Sequence, residues 1–273
     1  MPSKYQPQVP EWLQDLYKGV YTKQLPLSNN KKLRYANDDY CELSRCPKGM
    51  RGYLRWFIVI IIFFTCLLFI CSAFFAIYAI IYVDEIRLLA IFLECIFILI
   101  SYFFIQIFLC GLFAPEDCPI RLNRKTRKVY IYENIIMHLG AWRALKYSPF
   151  KIKEVIVKEF DWMDIQGVMS SILASVGTVR TYRIECVVCK PNTTNVIDHF
   201  ILCTDSSLSY DEWMWINSYM AFSDNNLDRE LMPEEEFTWP IKVNWPEEID
   251  KKSKASSLEE YQKIDAEYKK IKE

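Results

Sequence analysis

Two apolar runs, Trp56 to Val83 and Leu88 to Phe113, constrain this chain more than any other feature. The first holds no charged residue and the second only Glu94. Each exceeds the roughly 20 residues that a helix needs to cross a hydrocarbon core. Between them, Asp84-Glu85-Ile86-Arg87 is long enough to reverse the chain at a membrane surface. The pattern predicts a transmembrane helical hairpin. A hairpin buried in a soluble helical protein is the bland alternative, disfavoured because soluble cores rarely hold two adjacent uncharged runs of this length. A cleaved signal peptide is disfavoured as well, because the first run starts more than fifty residues into the chain.

Charge placement orients the hairpin. Met1 to Arg55 carries ten Lys or Arg against five Asp or Glu, and Pro119 to Asp164 repeats that ratio. From Asp205 onward the balance reverses, with seventeen acidic residues against nine basic ones. Basic residues flanking a span stay on the cytoplasmic side. The expected placement is therefore a membrane crossed twice, with both termini cytoplasmic and the lipid bilayer as a partner. The ten cysteines form no evenly paired framework, which agrees with free thiols in a reducing compartment.

Polar groups inside the hairpin are few. Glu94 lies about two turns into the second run, where an exposed carboxylate is expensive. Arg87, on the same helical face, and Tyr78, at comparable depth on the first run, are the expected members of an intramembrane polar contact, internal or between subunits of a homo-oligomer. Two helices with so few polar groups do not provide an ion pathway.

After the hairpin the pattern changes to strands. Pro119–Asn123 and Lys128–Tyr132 alternate about the polar turn Arg124–Arg127, and 152–160, Arg180–Cys189 and Val196–Cys203 read as further strands. Ser209 and Glu212 suit a capping box before a helix carrying Trp213, Ile216, Tyr219 and Met220, with Trp215 on another side. In the amino-terminal arm, Trp12, Leu13, Leu16, Tyr17 and Val20 recur at helical spacing and predict a helix lying on the membrane or packed on the soluble domain. Near the end, Ser257 and Glu260 start a helix whose stripe is Leu258, Tyr261, Ile264, Tyr268 and Ile271. The predicted fold class is α+β: the hairpin plus a small cytoplasmic antiparallel-sheet domain closed by a helix, resembling a pleckstrin-homology partial barrel. The predicted segments are a cytoplasmic arm 1–53, the hairpin 54–113, a cytoplasmic α+β domain 114–223 and an acidic tail 224–273 with a terminal amphipathic helix.

Catalytic and metal chemistry finds little support. There are two histidines and seven glycines, and neither a phosphate-binding loop nor an HExxH pair. Cys186 and Cys189 have knuckle spacing, with His199 and Cys203 nearby, but a strand would put them on opposite faces. Cys41 and Cys46 lack a second pair. Asp161 and Asp164 bracket Trp162 and Met163 without a further catalytic group. No enzyme, cofactor or metal is expected. The basic strip Arg121, Arg124, Lys125, Arg127 and Lys128 is assigned to anionic headgroups rather than to nucleic acid, because it directly follows a span. In the tail, Phe237, Trp239 and Trp245 are candidates for binding a basic partner that acidic surroundings would steer. Packing of these aromatics on their own domain is the competing reading.

Three stretches, Asn123-Arg124-Lys125-Thr126-Arg127-Lys128-Val129-Tyr130, Asp161-Trp162 and Trp213-Met214-Trp215-Ile216-Asn217-Ser218-Tyr219-Met220, together resemble an uncharacterised family of bacterial two-span membrane proteins with a small cytoplasmic domain. Some of its members are associated with type VI secretion toxin–immunity loci. The resemblance covers roughly Leu54 to Phe222. It implies an inner-membrane binding protein that neutralises a secreted toxin, and it carries over no catalytic residue. A membrane scaffold or secretion accessory protein is the alternative, and a membrane-associated enzyme a more distant one.

Overall fold

The structure, a computed structural model, describes residues 3–21, 33–45, 50–82, 87–113, 117–134, 155–173, 180–205, 211–223 and 243–272. The chain divides into two units: Met1–Pro47, Asp117–Glu133 and Ile156–Glu273 form the first, and Lys48–Glu116 with Asn134–Val155 the second.

The first unit is α+β and holds two sheets. One has the order β1-β7-β8-β9, built from Trp12–Asp15, Ile165–Leu173, Arg180–Cys189 and Val196–Asp205, with every pairing antiparallel. The other has the order β2-β3-β4-β5-β6, from Leu33–Ala36, Tyr40–Leu43, Ile120–Asn123, Lys128–Asn134 and Val155–Asp161. Its β2/β3, β3/β4 and β4/β5 pairings are antiparallel. A single small sheet was expected. The additional strands are four-residue pieces from the arm, and β7, whose sequence IQGVMSSIL lacks clear alternation.

Period-two alternation explains how both sheets share one core. Ile120 and Leu122 of β4, Val129 and Ile131 of β5, and Ile184, Cys186 and Val188 of β8 all enter it, together with Phe200 and Leu202 of β9. Helix α3 (Asp211–Met220) closes this core with Trp213, Trp215, Ile216, Tyr219 and Met220. Trp215 faces the same core as Trp213, stacked on Tyr219 with ring centroids 5.1 Å apart. Gly167 on β7 admits the Trp213 indole: a Cβ there would lie 2.7 Å from it. The opposite face of the first sheet carries Val168, Val187 and Cys189, covered by Tyr5 and Trp12 of the arm.

The expected arm helix is replaced by β1. Trp12 and Leu16 have helical spacing, but Trp12 pairs with Ser170 and Asp15 with Val168, so sheet hydrogen bonding outweighs the local period. The β4–β5 turn forms as expected: the Asn123 Oδ1 accepts the Thr126 amide at 2.8 Å, and Arg127 takes φ 55°. At the carboxy end, α4 (Glu247–Ser253) and α5 (Leu258–Lys272) lie on the outer side of the second sheet. Ser257 Oγ accepts the Glu260 amide, as a capping box requires, whereas the Glu260 carboxylate turns to Ser256 instead of Ser257.

The second unit contains two helices, α1 (Met50–Tyr82) and α2 (Arg87–Phe113), which pack on each other. Among the described residues no helix is long and apolar enough to cross a membrane. The expected transmembrane hairpin and the two-span inner-membrane placement are therefore corrected. Residues 83–86, read as the hairpin turn, lie outside the described residues.

Candidate functional site

The outer face of the second sheet gathers the most charge. Alternation that sends Ile120 and Leu122 inward turns Arg121 and Asn123 to this face, beside Tyr40 and Glu42 of β3. Arg121 is 2% exposed. Its guanidinium donates to Glu42 Oε2 at 2.7 and 2.9 Å, to Asp250 Oδ1 at 2.8 Å and to Ser253 Oγ at 2.7 Å. The Trp245 ring lies 4.7 Å from it and the Tyr40 ring 5.3 Å. Glu42 also pairs with Arg34 at 2.6 Å and accepts the Trp245 indole N–H at 3.2 Å. Burial works against the Arg121 charge, but Glu42 and Asp250 outweigh it and hold its pKa above the usual guanidinium value. Asn123 donates to the carbonyls of Ser253 and Ala255. These groups answer one another, and their work is to fasten the carboxy-terminal helices to the sheet.

This placement settles where the basic strip lies. Arg121 and Arg124 are buried, the latter between the rings of Tyr219 and Phe222 at 5.0 and 4.5 Å. Lys128 pairs with Asp161 at 2.9 Å, whereas Lys125 and Arg127 are exposed. Trp245 is buried on its own sheet; Phe237 and Trp239 lie outside the described residues. On the helices, Glu94 is half-buried and Tyr78 is exposed beside Tyr82, while the Arg87 side chain is outside the described residues. Cys186 and Cys189 face opposite sides of β8, as strand geometry requires. Among the described residues no three metal-ligating side chains come together.

A second site lies where β1 leaves its sheet. Leu16 enters the core and its amide donates to the Gly167 carbonyl at 2.8 Å. The next side chain, Tyr17, is 67% exposed. Lys18 turns inward, donating to the carbonyls of Ile165 at 2.6 Å, Met163 at 3.2 Å and Trp162, with its Nζ 4.5 Å from the Trp162 ring. Burial pushes the Lys18 pKa down to about 8, with Cys186 and Asp164 opposing the shift. The three carbonyls belong to a 3-10 turn, Trp162–Asp164, and the residue after it; Met163 at its tip is 65% exposed. Trp162 packs on Trp213, whose indole N–H donates to the Tyr17 carbonyl at 2.8 Å. Val20 is also exposed.

Two exposed apolar stretches, around Tyr17 and Met163, are thus tied together by the Lys18 ammonium and seated on a buried tryptophan pair. Tyr and Met are enriched where protein partners dock, because each presents apolar area with few ordered contacts to give up. The helical spacing in the arm concealed this site, since it made Tyr17 a member of a buried stripe. The Asp161/Asp164 bracket, weighed as an acid pair, flanks the 3-10 turn, with Asp161 ending β6 and paired with Lys128.

One family model, described as a family of unknown function (DUF6708), matches residues 97–240, just over half the chain. Neither a curated protein nor a solved structure matches it.

Proposed function

The chain belongs to the DUF6708 family, whose function is unknown, and from that premise we propose that it is a non-catalytic binding protein that neutralises a toxin delivered by type VI secretion. The observation that carries this reading is the rigid mounting of Tyr17 and Met163. An exposed aromatic next to Lys18 and an exposed methionine in the 3-10 turn sit on segments joined by that lysine, which is bonded to three carbonyls of the turn and the residue after it. The backbone under both anchors is fixed in advance, and the tyrosine ring offers large contact area at low conformational-entropy cost. The immunity role itself rests on the resemblance carried by Asn123–Tyr130, Asp161-Trp162 and Trp213–Met220. A scaffold or secretion accessory role is the second reading, favoured by the same exposed anchors without any toxin.

Co-expression with any secreted effector that proves to be encoded beside this gene tests the proposal. The expected result is rescue of growth and co-purification with the effector. The double variant Tyr17→Ala, Met163→Ala should lower affinity at least tenfold while leaving the tryptophan fluorescence spectrum unchanged. Absence of both rescue and association sinks the immunity reading and leaves the scaffold. Rescue that survives the double variant moves the binding surface elsewhere.

A further inference from the structure

Among the described side chains of α1 and α2, the large apolar ones are exposed or half-buried and none is buried. Phe63, Phe74 and Phe75 of α1 and Leu88, Phe92 and Leu99 of α2 are each more than 60% exposed. Phe74 and Phe75 are sequence neighbours, about 100° apart around a helix, so the exposure is not confined to one stripe. Among the described residues, twenty-three large apolar side chains of the two helices are exposed. At about 100 Å² apiece, against the 150–250 Å² of a whole aromatic residue, they amount to something on the order of 2,000 Å². A stable dimer needs about 800 Å² from each partner, and ordinary exposed patches reach only a few hundred.

Shape and charge narrow the occupant. Between α1 and α2 runs a crevice of about 460 Å³ lined by Ile62, Cys66 and Phe69 from one helix and Ile98, Ser101 and Tyr102 from the other. The same unit therefore carries both a groove and projecting phenylalanines of a size to enter one. A surface bearing both halves of a contact is what a two-fold arrangement of identical chains uses. Over Val59–Tyr82 and Leu88–Tyr102 the sequence offers a charged partner only Glu94. Glu94 is half-buried and, among the described residues, has no hydrogen-bond or ion-pair partner.

We propose that the α1–α2 pair is a self-association surface, on which two copies of this chain pack their helical pairs together, each inserting apolar side chains into the other's crevice. This rests on the second unit alone and is independent of the toxin-binding reading.

Two differently tagged full-length copies expressed in the same bacterial cells provide the test. Capture of one tag should bring down the other, and cross-linking with a bismaleimide through the exposed Cys66, Cys71 and Cys95 should give a band at about twice 32.5 kDa. Replacing those three cysteines by serine should remove most of that band while co-capture persists. Phe74→Glu with Leu99→Glu should reduce co-capture at least tenfold. Because both side chains are exposed, the variant's tryptophan fluorescence should match that of the parent chain. Failure of co-capture overturns the proposal. So does a ladder of higher species, since a closed two-fold pair stops at two. A chain that floats as a monomer with phosphatidylethanolamine–phosphatidylglycerol vesicles overturns it too, and assigns the apolar surface to lipid.

Discussion

At the scale of single residues, Arg121 shows how one side chain decides what a surface becomes. As the first member of a basic strip it reads as a cation facing outward, yet it is among the most buried large side chains of the protein. Its planar fork satisfies Glu42 in two bonds and reaches Asp250 and Ser253 with another nitrogen, geometry a lysine lacks. Removing one partner from a buried ion pair strands the others, at a cost of about 3–5 kcal/mol. Arg121→Ala should therefore lower the urea midpoint by that amount of stability. Arg121→Lys should recover only part of it. Equal stability of all three proteins in urea would show that the cluster contributes nothing net.

At the scale of elements, α5 is held more by charge than by burial. Leu258 and Ile271, at the ends of its predicted apolar stripe, are 51% and 70% exposed. Lys252 at the end of α4 is buried and donates to Glu248 at 2.7 Å and to Asp265 of α5 at 2.6 Å. Hydrogen bonds from Lys252 and Lys269 hold the Asp265 carboxyl down to about 2, below the usual 3.8. A depressed carboxyl contributes stability that is complete above its unfolded value and is lost as pH falls through the folded one. The hold on α5 should thus be intact above pH 4 and weaken toward pH 2. Hydrogen exchange is expected to show α5 amides opening in that window before those of β8, and Asp265→Asn should already open α5 at pH 6. Equal protection of α5 at pH 2.5 and pH 6 would contradict this.

At the scale of the whole molecule, the carboxy-terminal segment is part of the fold of the first unit. Trp245, Lys252, Ser253 and Ala255 are buried, and they cover Glu42, Arg121 and Asn123. A chain ending at Asp224 should lose protease resistance with no partner present, as limited trypsin digestion would show; a truncated chain digested no faster than the full one would return this segment to a recognition role. Much of this unit was legible in the amino-acid order. Strands β4, β5, β8 and β9 and helices α3 and α5 carry their own alternation, turn residues or caps, and local patterns of that kind need no distant partner to be read. The exposed Tyr17–Met163 site and strands β1, β2 and β3 were not legible. β1 gains its hydrogen bonds from β7, and β3 gains its own from β4 across the whole helical segment. A four-residue strand has too little pattern to announce itself, and apart from the local β2–β3 pairing these strands are fixed by residues far away in sequence. The sequence alone determined the α+β class of the first unit and the helical course of the two apolar runs. Only the tertiary structure decided which charges are buried and which apolar side chains face outward, because both depend on what the distant chain places against them.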